Sequence, residues 1–244
     1  MTQSAPQPRV ALLLIGNELL SGKIRDMNGY LLAQKCTEWG AELINIQVVP
    51  DDVSTIADTI NRMRKSVDIL ITSGGVGPTH DDVTYEAVAL AFGCEQEQHR
   101  ELSIRLRSYF GERLTAEHLK MAHLPVLAQS ITTRDAKWPL VHVDNVFILP
   151  GVPQIFELKL EMLKSRLSGR KRHLATLELR ADEGSIAKTL EETEKQHDVL
   201  IGSYPFSRAN ERWVRITIES FDRSLVAFLE RSLTATFSER VESN

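Results

Sequence analysis

A parallel α/β sheet with helices on both faces, followed by a small βαββα unit, is the architecture this sequence predicts, and three observations predict it. Apolar runs of strand length alternate with helix-spaced segments through the first 93 residues, and that alternation implies crossover connections between parallel strands. Each apolar run ends in a loop bearing glycines or acids, at the strand ends where ligands of such sheets collect. A second, shorter alternation follows residue 170, with Trp213-Val214-Arg215-Ile216-Thr217-Ile218 repeating every two residues as a half-buried strand does.

In chain order, residues 10–15 read as a strand, 28–39 as a helix closed by Gly40, and 43–49 as a strand. Residues 54–64 carry Ile56, Ala57, Ile60 and Met63 at helical spacing, 68–72 form a short buried strand, and 83–92 a helix ended by Gly93. Residues 94–130 read as mainly helical, with Ile104, Leu106, Phe110, Leu114, His118 and Met121 as core positions and a break at Gly111. The run 140–149 reads as a hairpin turning at Asp144-Asn145. Pro150-Gly151-Val152-Pro153 leads into a helix over about 154–167, with Pro153 suited to the first turn. The remainder reads as strand 173–180, helix 185–197, strand 199–204, strand 213–220 and helix 223–237. These divide into a disordered N-terminus over 1–8, a larger domain over 9–169 and a small one over 170–244.

The 244 residues are 42% apolar with a net charge of −4, which supplies a core and leaves no broad nucleic-acid footprint. The Arg170-Lys171-Arg172 cluster follows a helical segment, where cations suit the C-terminal dipole. Cys36 and Cys94 are the two cysteines, so neither a disulfide framework nor a structural zinc site is expected. His99, His118 and His123 lack the spacing of a zinc helix. The first apolar run is too short for a signal peptide core or a membrane span, and a cytosolic protein is expected.

The chemistry-bearing residues concentrate in Thr72-Ser73-Gly74-Gly75-Val76-Gly77-Pro78-Thr79-His80-Asp81-Asp82-Val83-Thr84. Glycines let a backbone approach a ligand, and successive free N–H groups before a helix attract phosphate oxygens. The aspartate pair adds metal-binding or acid/base capacity, the lesser alternative being that Asp81 or Asp82 is only the N-cap of the following helix, a role that needs one Asp and not two. Two other loops fall on the same sheet edge: Gly16-Asn17-Glu18-Leu19-Leu20-Ser21-Gly22 and Pro50-Asp51-Asp52. Gly151 reads equally as part of a rigid turn or as backbone brought against a ligand. A branched side chain at Gly75 is expected to block phosphate while sparing the fold.

These loops, with Asn28 and Leu149-Pro150-Gly151-Val152-Pro153, resemble the molybdopterin-binding domain of CinA-like proteins over about residues 8–170. Downstream, Ala181-Asp182-Glu183-Gly184-Ser185-Ile186 and Ile201-Gly202-Ser203-Tyr204-Pro205 look like the extension of eukaryotic FAD synthase. The resemblance implies a three-layer α/β/α, mostly parallel MoaB/Mog-like domain. It implies pyrophosphate hydrolysis of an adenine dinucleotide such as FAD or ADP-ribose, with pterin adenylyl transfer or a non-catalytic nucleotide- or pterin-binding module as alternatives. It also implies a homo-oligomer, a dimer or trimer. The deamidase domain of CinA proper is not expected here. Relatives usually read Gly-Asp-Glu where this chain has Gly16-Asn17-Glu18, and Gly-Thr-Ala-Pro-Gly where it has Ala136-Lys137-Trp138-Pro139-Leu140; the second departure is shared with the FAD synthase branch.

On this resemblance the ligand-binding positions are Gly16, Asn17, Ser21, Asn28, Thr72, Ser73, Gly74, Gly75, Gly77, Pro78, Thr79, Pro150 and Gly151. Pyrophosphate cleavage needs charge neutralisation and an activated water. Backbone N–H groups from Ser73 to Gly77 would cradle a phosphate, Asp82 and Asp51 would hold a divalent cation such as Mg²⁺, and Glu18 or Asp81 would act as base.

Overall fold

The computed structural model describes residues 6–132 and 137–238. Ala136 and the first five residues of the expected disordered stretch lie outside the described residues. The chain forms two compact units, Met1–Arg170 and Lys171–Asn244.

The first unit begins with β1 (Arg9–Ile15), a one-turn helix α1 (Asn17–Leu20), α2 (Asn28–Trp39), β2 (Glu42–Val49), α3 (Val53–Met63), β3 (Ile69–Ser73) and α4 (Thr84–Phe92). Then come β4 (Gln96–Gln98), α5 (Arg100–Phe110), α6 (Ala116–Lys120), β5 (His123–Pro125) and β6 (Gln129–Ile131). It closes with β7 (Leu140–Val143), β8 (Val146–Leu149), α7 (Pro153–Glu161) and α8 (Lys164–Leu167). Six strands form one sheet in the order β2-β1-β3-β8-β7-β6. The first four run parallel; β7 pairs antiparallel with β8 and with β6. The β7–β8 turn falls at Asp144, whose φ of 51° is the left-handed conformation that asparagine and aspartate tolerate.

Alternation along β1 dictates the layers. Ala11, Leu13 and Ile15 join one core with Ile56 and Ile60 of α3 and Ala87 and Val88 of α4. Val10, Leu12 and Leu14 join the opposite core with Leu32 and Cys36 of α2 and Phe156 and Leu160 of α7. With side chains pointing to opposite faces at successive positions, an apolar run such as Val10-Ala11-Leu12-Leu13-Leu14-Ile15 demands cover on both sides. The result is a helix–sheet–helix sandwich, the three layers that the resemblance implies.

Three expectations are corrected here. The segment 94–130 is mainly helical but also contains β4 and β5, which pair antiparallel as a separate two-stranded ribbon. Ile104, expected in the core, is 56% exposed. The helix expected over about 154–167 is divided into α7 and α8 by Met162 and Leu163. At the N-terminus, the Pro8 carbonyl accepts from the Glu42 N–H at 2.9 Å.

The second unit comprises β9 (His173–Leu179), α9 (Ala187–Gln196), β10 (Leu200–Arg208), β11 (Glu211–Ser220) and α10 (Arg223–Thr236). The antiparallel order is β10-β11-β9. Val214, Ile216 and Ile218 face a core shared with Leu190 of α9 and Val226, Leu229 and Leu233 of α10. The β10–β11 hairpin turns through Ala209 and Asn210, both at positive φ, a twist that suits paired strands.

Candidate functional site

The loops that follow β1, β2, β3 and β8 lie at the carboxyl ends of the four parallel strands and are tied to one another by hydrogen bonds. The Gly16 N–H donates to the Val49 carbonyl at 3.1 Å, and the Gly74 N–H to the Leu149 carbonyl at 3.1 Å. Asn28, 3% exposed at the start of α2, donates from Nδ2 to Ser73 Oγ at 2.9 Å and to the Gly151 carbonyl at 2.8 Å. Asp26 fixes that first turn by accepting from the N–H groups of Asn28 and Gly29, both at 3.0 Å. Asn28 is therefore a brace behind the loops, joining the end of β3 to the turn after β8.

Gly74 and Gly75 both have positive φ, 109° and 66°. A β-carbon on Gly74 would lie 2.3 Å from the Ile15 carbonyl oxygen, and one on Gly75 2.3 Å from Thr84 Oγ1. Thr84 is fully buried; its hydroxyl donates to the Gly74 carbonyl at 2.8 Å and its N–H to the Gly75 carbonyl at 2.9 Å. Thr84 thus starts α4 from inside the glycine loop. The reading of Asp81 or Asp82 as the cap of this helix is corrected: α4 has no side-chain cap, and the Asp82 carboxylate accepts from Thr79 instead, from its N–H at 2.8 Å and from its hydroxyl.

Asp51 and Asp52 divide their tasks. The Asp52 carboxylate caps α3, accepting from the Thr55 N–H at 2.8 Å and from the Ser54 and Thr55 hydroxyls at 2.7 Å. The Thr55 and Ser54 hydroxyls hold its pKa down at about 2, from an ordinary 3.8. A folded-state pKa below the unfolded one adds stability that is complete above about pH 4 and lost as the pH falls through about 2. We expect the urea midpoint of the wild type to drop across that window and Asp52→Ala to show a smaller drop; equal pH dependence in the two proteins would contradict the cap. Asp51 accepts from the Asn17 N–H at 2.8 Å and faces the cavity described next.

A cavity of about 570 Å³ opens at this edge. Glu18, Asp51, Asp81 and Asp82 contribute its acidic rim, beside backbone from Gly74, Gly75 and Gly77 and from Pro150 and Gly151, with Thr79 between. Of the other positions expected at the ligand, Gly16, Asn17, Ser21, Asn28, Thr72, Ser73 and Pro78 do not line it. Thr72 and Ser73 are buried within β3, and Asn17 and Ser21 are exposed about α1. The rest of the lining is largely apolar and includes residues that the sequence did not single out as ligand-binding: Tyr85 of α4, Leu102 and Leu106 of α5, Met121 and Trp138. Burial pushes the Tyr85 hydroxyl's pKa up, so it stays neutral as a hydrogen-bonding group.

Lys159 of α7 was also missed. It lines the cavity, and its ammonium donates to the Pro139 carbonyl and, at 3.5 Å, to that of Trp138. Burial lowers its pKa from 10.5 to about 8. A lysine on a helix with charged neighbours reads as surface, and no spacing signal marks it otherwise.

Asp51 and Asp82 suit Mg²⁺ in kind, since that ion takes one or two carboxylates and completes its shell with water and substrate phosphate. A cage built by protein alone does not fit: among the described residues, no three His, Cys, Asp or Glu side chains are grouped to hold a metal. Among the same residues no helix is long and apolar enough to cross a membrane.

Comparison with known proteins gives the context of this geometry. The family described as "Probable molybdopterin binding domain" matches residues 11–169, and that described as "FAD synthase, middle domain" matches 171–243. A "Probable FAD synthase" of Caenorhabditis elegans is 32% identical over 249 residues, covering 90% of this chain and 48% of its own length. The chain therefore spans about half of that relative. A protein of Archaeoglobus fulgidus is 30% identical over 223 residues, 88% of this chain and 96% of its own. Among solved structures, CinA of Thermoplasma acidophilum, described as of unknown function, superposes with a TM-score of 0.61 at 27% identity, over 66% of this chain and 98% of its own.

Proposed function

The chain belongs to the family of probable molybdopterin-binding domains and carries a second segment of the FAD synthase middle-domain type; from that premise we propose that its cavity binds an adenine dinucleotide of the FAD class and hydrolyses the pyrophosphate bond. The observation that supports this is the mixed lining of one cavity. Four carboxylates and glycine backbone line it together with Trp138 and Tyr85, and its volume of about 570 Å³ lies in the usual range of small-molecule and cofactor sites.

In the reaction, water attacks one phosphorus and the bridging oxygen leaves on the other, so FAD and water become FMN and AMP. The backbone of Gly75 to Gly77 contributes N–H groups to the phosphate under attack; the Gly74 N–H, expected in this cradle, is taken by the Leu149 carbonyl, and Ser73 belongs to β3. Glu18 or Asp81 takes the proton from the water. Asp51 and Asp82 would hold a divalent cation, which when bound neutralises phosphate charge. Asn28 and Thr84 keep the glycine loop in register with Gly151 and α4, so that the N–H groups are aimed before the ligand arrives.

Incubation with FAD or ADP-ribose and Mg²⁺ tests the proposal: release of AMP supports it, and tight binding without AMP release refutes hydrolysis. A second reading, adenylyl transfer, draws on the printed name of the Caenorhabditis elegans relative; AMP joined to FMN or to a pterin in the presence of ATP would favour it. We also propose that the protein works in the cytosol and self-associates; a monomer by light scattering across micromolar concentrations would oppose the latter.

A further inference from the structure

The charges lining the cavity are unbalanced. Glu18, Asp51, Asp81 and Asp82 are anionic, and Lys159 is the single cationic side chain among the described lining residues. It comes from the face of α7 that also presents Ile155, four residues earlier, and is held against Trp138 and Pro139. A lysine ammonium has three donors. Two of Lys159's point at the Trp138 and Pro139 carbonyls, and the third meets no acceptor among the described residues. If the residue served only to tie down this segment, a neutral amide would do so without the cost of burying a charge. A cation held among apolar side chains hydrogen-bonds strongly to a carbonyl oxygen that enters.

Resting on the reading of the cavity as a dinucleotide site, we propose that Lys159 donates its third N–H to the carbonyl edge of a fused heterocycle seated against Trp138, the edge that isoalloxazine and pterin share and adenine lacks. Lys159 then decides which end of the dinucleotide occupies the apolar half. The flavin ring lies against Trp138, and the pyrophosphate reaches back to Gly74 and the carboxylates. The adenine is left outside the cation's reach.

The test uses the full chain and four probes: riboflavin, FMN, AMP and 6-hydroxymethylpterin. Each is titrated into the wild type, Lys159→Met and Lys159→Arg, with the thermal melt of each variant recorded alongside. Lys159→Met is expected to weaken riboflavin and FMN equally, by about tenfold, and to leave AMP unchanged. The long-wavelength flavin absorption of the saturated complex should differ from that of the wild type, and Lys159→Arg should recover part of both effects. A parallel loss with the pterin extends the assignment to that ring; an unchanged pterin affinity with riboflavin weakened restricts it to flavin. Weakening of FMN but not riboflavin would make Lys159 a phosphate ligand and overturn the proposal. Weakened riboflavin with an identical bound spectrum would overturn it too, by reducing Lys159 to a tie for Trp138. Failure to cleave FAD, in a protein whose riboflavin binding depends on Lys159, removes the hydrolytic reading and leaves this one standing.

Discussion

Asp82→Asn is expected to remove turnover while keeping nucleotide affinity within about tenfold, roughly 1.4 kcal/mol. The substitution deletes a charge suited to a cation but leaves the glycine backbone untouched. Rate should fall by about two orders of magnitude or more, the scale of the several kcal/mol that a bound cation contributes to a phosphoryl transition state. The turn around Asp82 should survive, because an asparagine oxygen can still accept from the Thr79 N–H that Asp82 holds at 2.8 Å. A normal melting temperature with lost activity therefore points to chemistry. Full activity in a well-folded Asp82→Asn protein would falsify the catalytic assignment and leave Asp82 as a turn residue.

Gly75→Val is expected to abolish nucleotide binding and also to destabilise the first unit, a revision of what the sequence alone implies. Valine resists the positive φ of 66°, at a cost on the order of 1–3 kcal/mol. Its β-carbon would press on Thr84 Oγ1, and breaking the buried Thr84 bond to Gly74 adds about 1–3 kcal/mol. Together these suggest about 3 kcal/mol and, for a unit of this size, a melting temperature lower by about 10 °C. Gly151→Ala is the cleaner probe of ligand approach: its β-carbon would meet Gly74 Cα at an ordinary 3.4 Å. Weakened binding with an unchanged melt would show that the ligand comes against Gly151; unchanged binding would leave Gly151 as a turn.

What was legible in the sequence was set by periodicity and punctuation. The helix at Asn28–Trp39 is bounded as read, because Gly40 ends an uninterrupted helical pattern. The layering of β1 follows from a run with no polar break. The apolar wall of the cavity was not legible. Leu102 and Leu106 sit on α5 at the same spacing as core residues, and sequence carries no mark distinguishing a side chain that lines a cavity from one that fills a core. Ile104 was misplaced for the same reason, since the face of α5 that is covered is narrower than its apolar content suggests. The role of Asp82 was ambiguous because Thr79 lies three residues before it while Thr84 lies three after Asp81, and either spacing suits an aspartate that accepts from backbone.

The pairing of β3 with β8 has a bearing on how the molecule assembles. Leu70 lies beside Val146, so the ladder closes a loop of about 76 residues, whereas β1 and β3 meet with Val10 beside Ile69. Chain closure must be accomplished before such distant contacts return any energy. The glycine loop and the Pro150-Gly151 turn sit on the two strands that this pairing joins. The cavity therefore exists only where β3 and β8 are paired, and nascent chains shorter than about 150 residues contain its carboxylates without containing a site. A ligand that bridges the two strands would act on folding as a clasp, drawing the equilibrium toward the closed sheet by mass action.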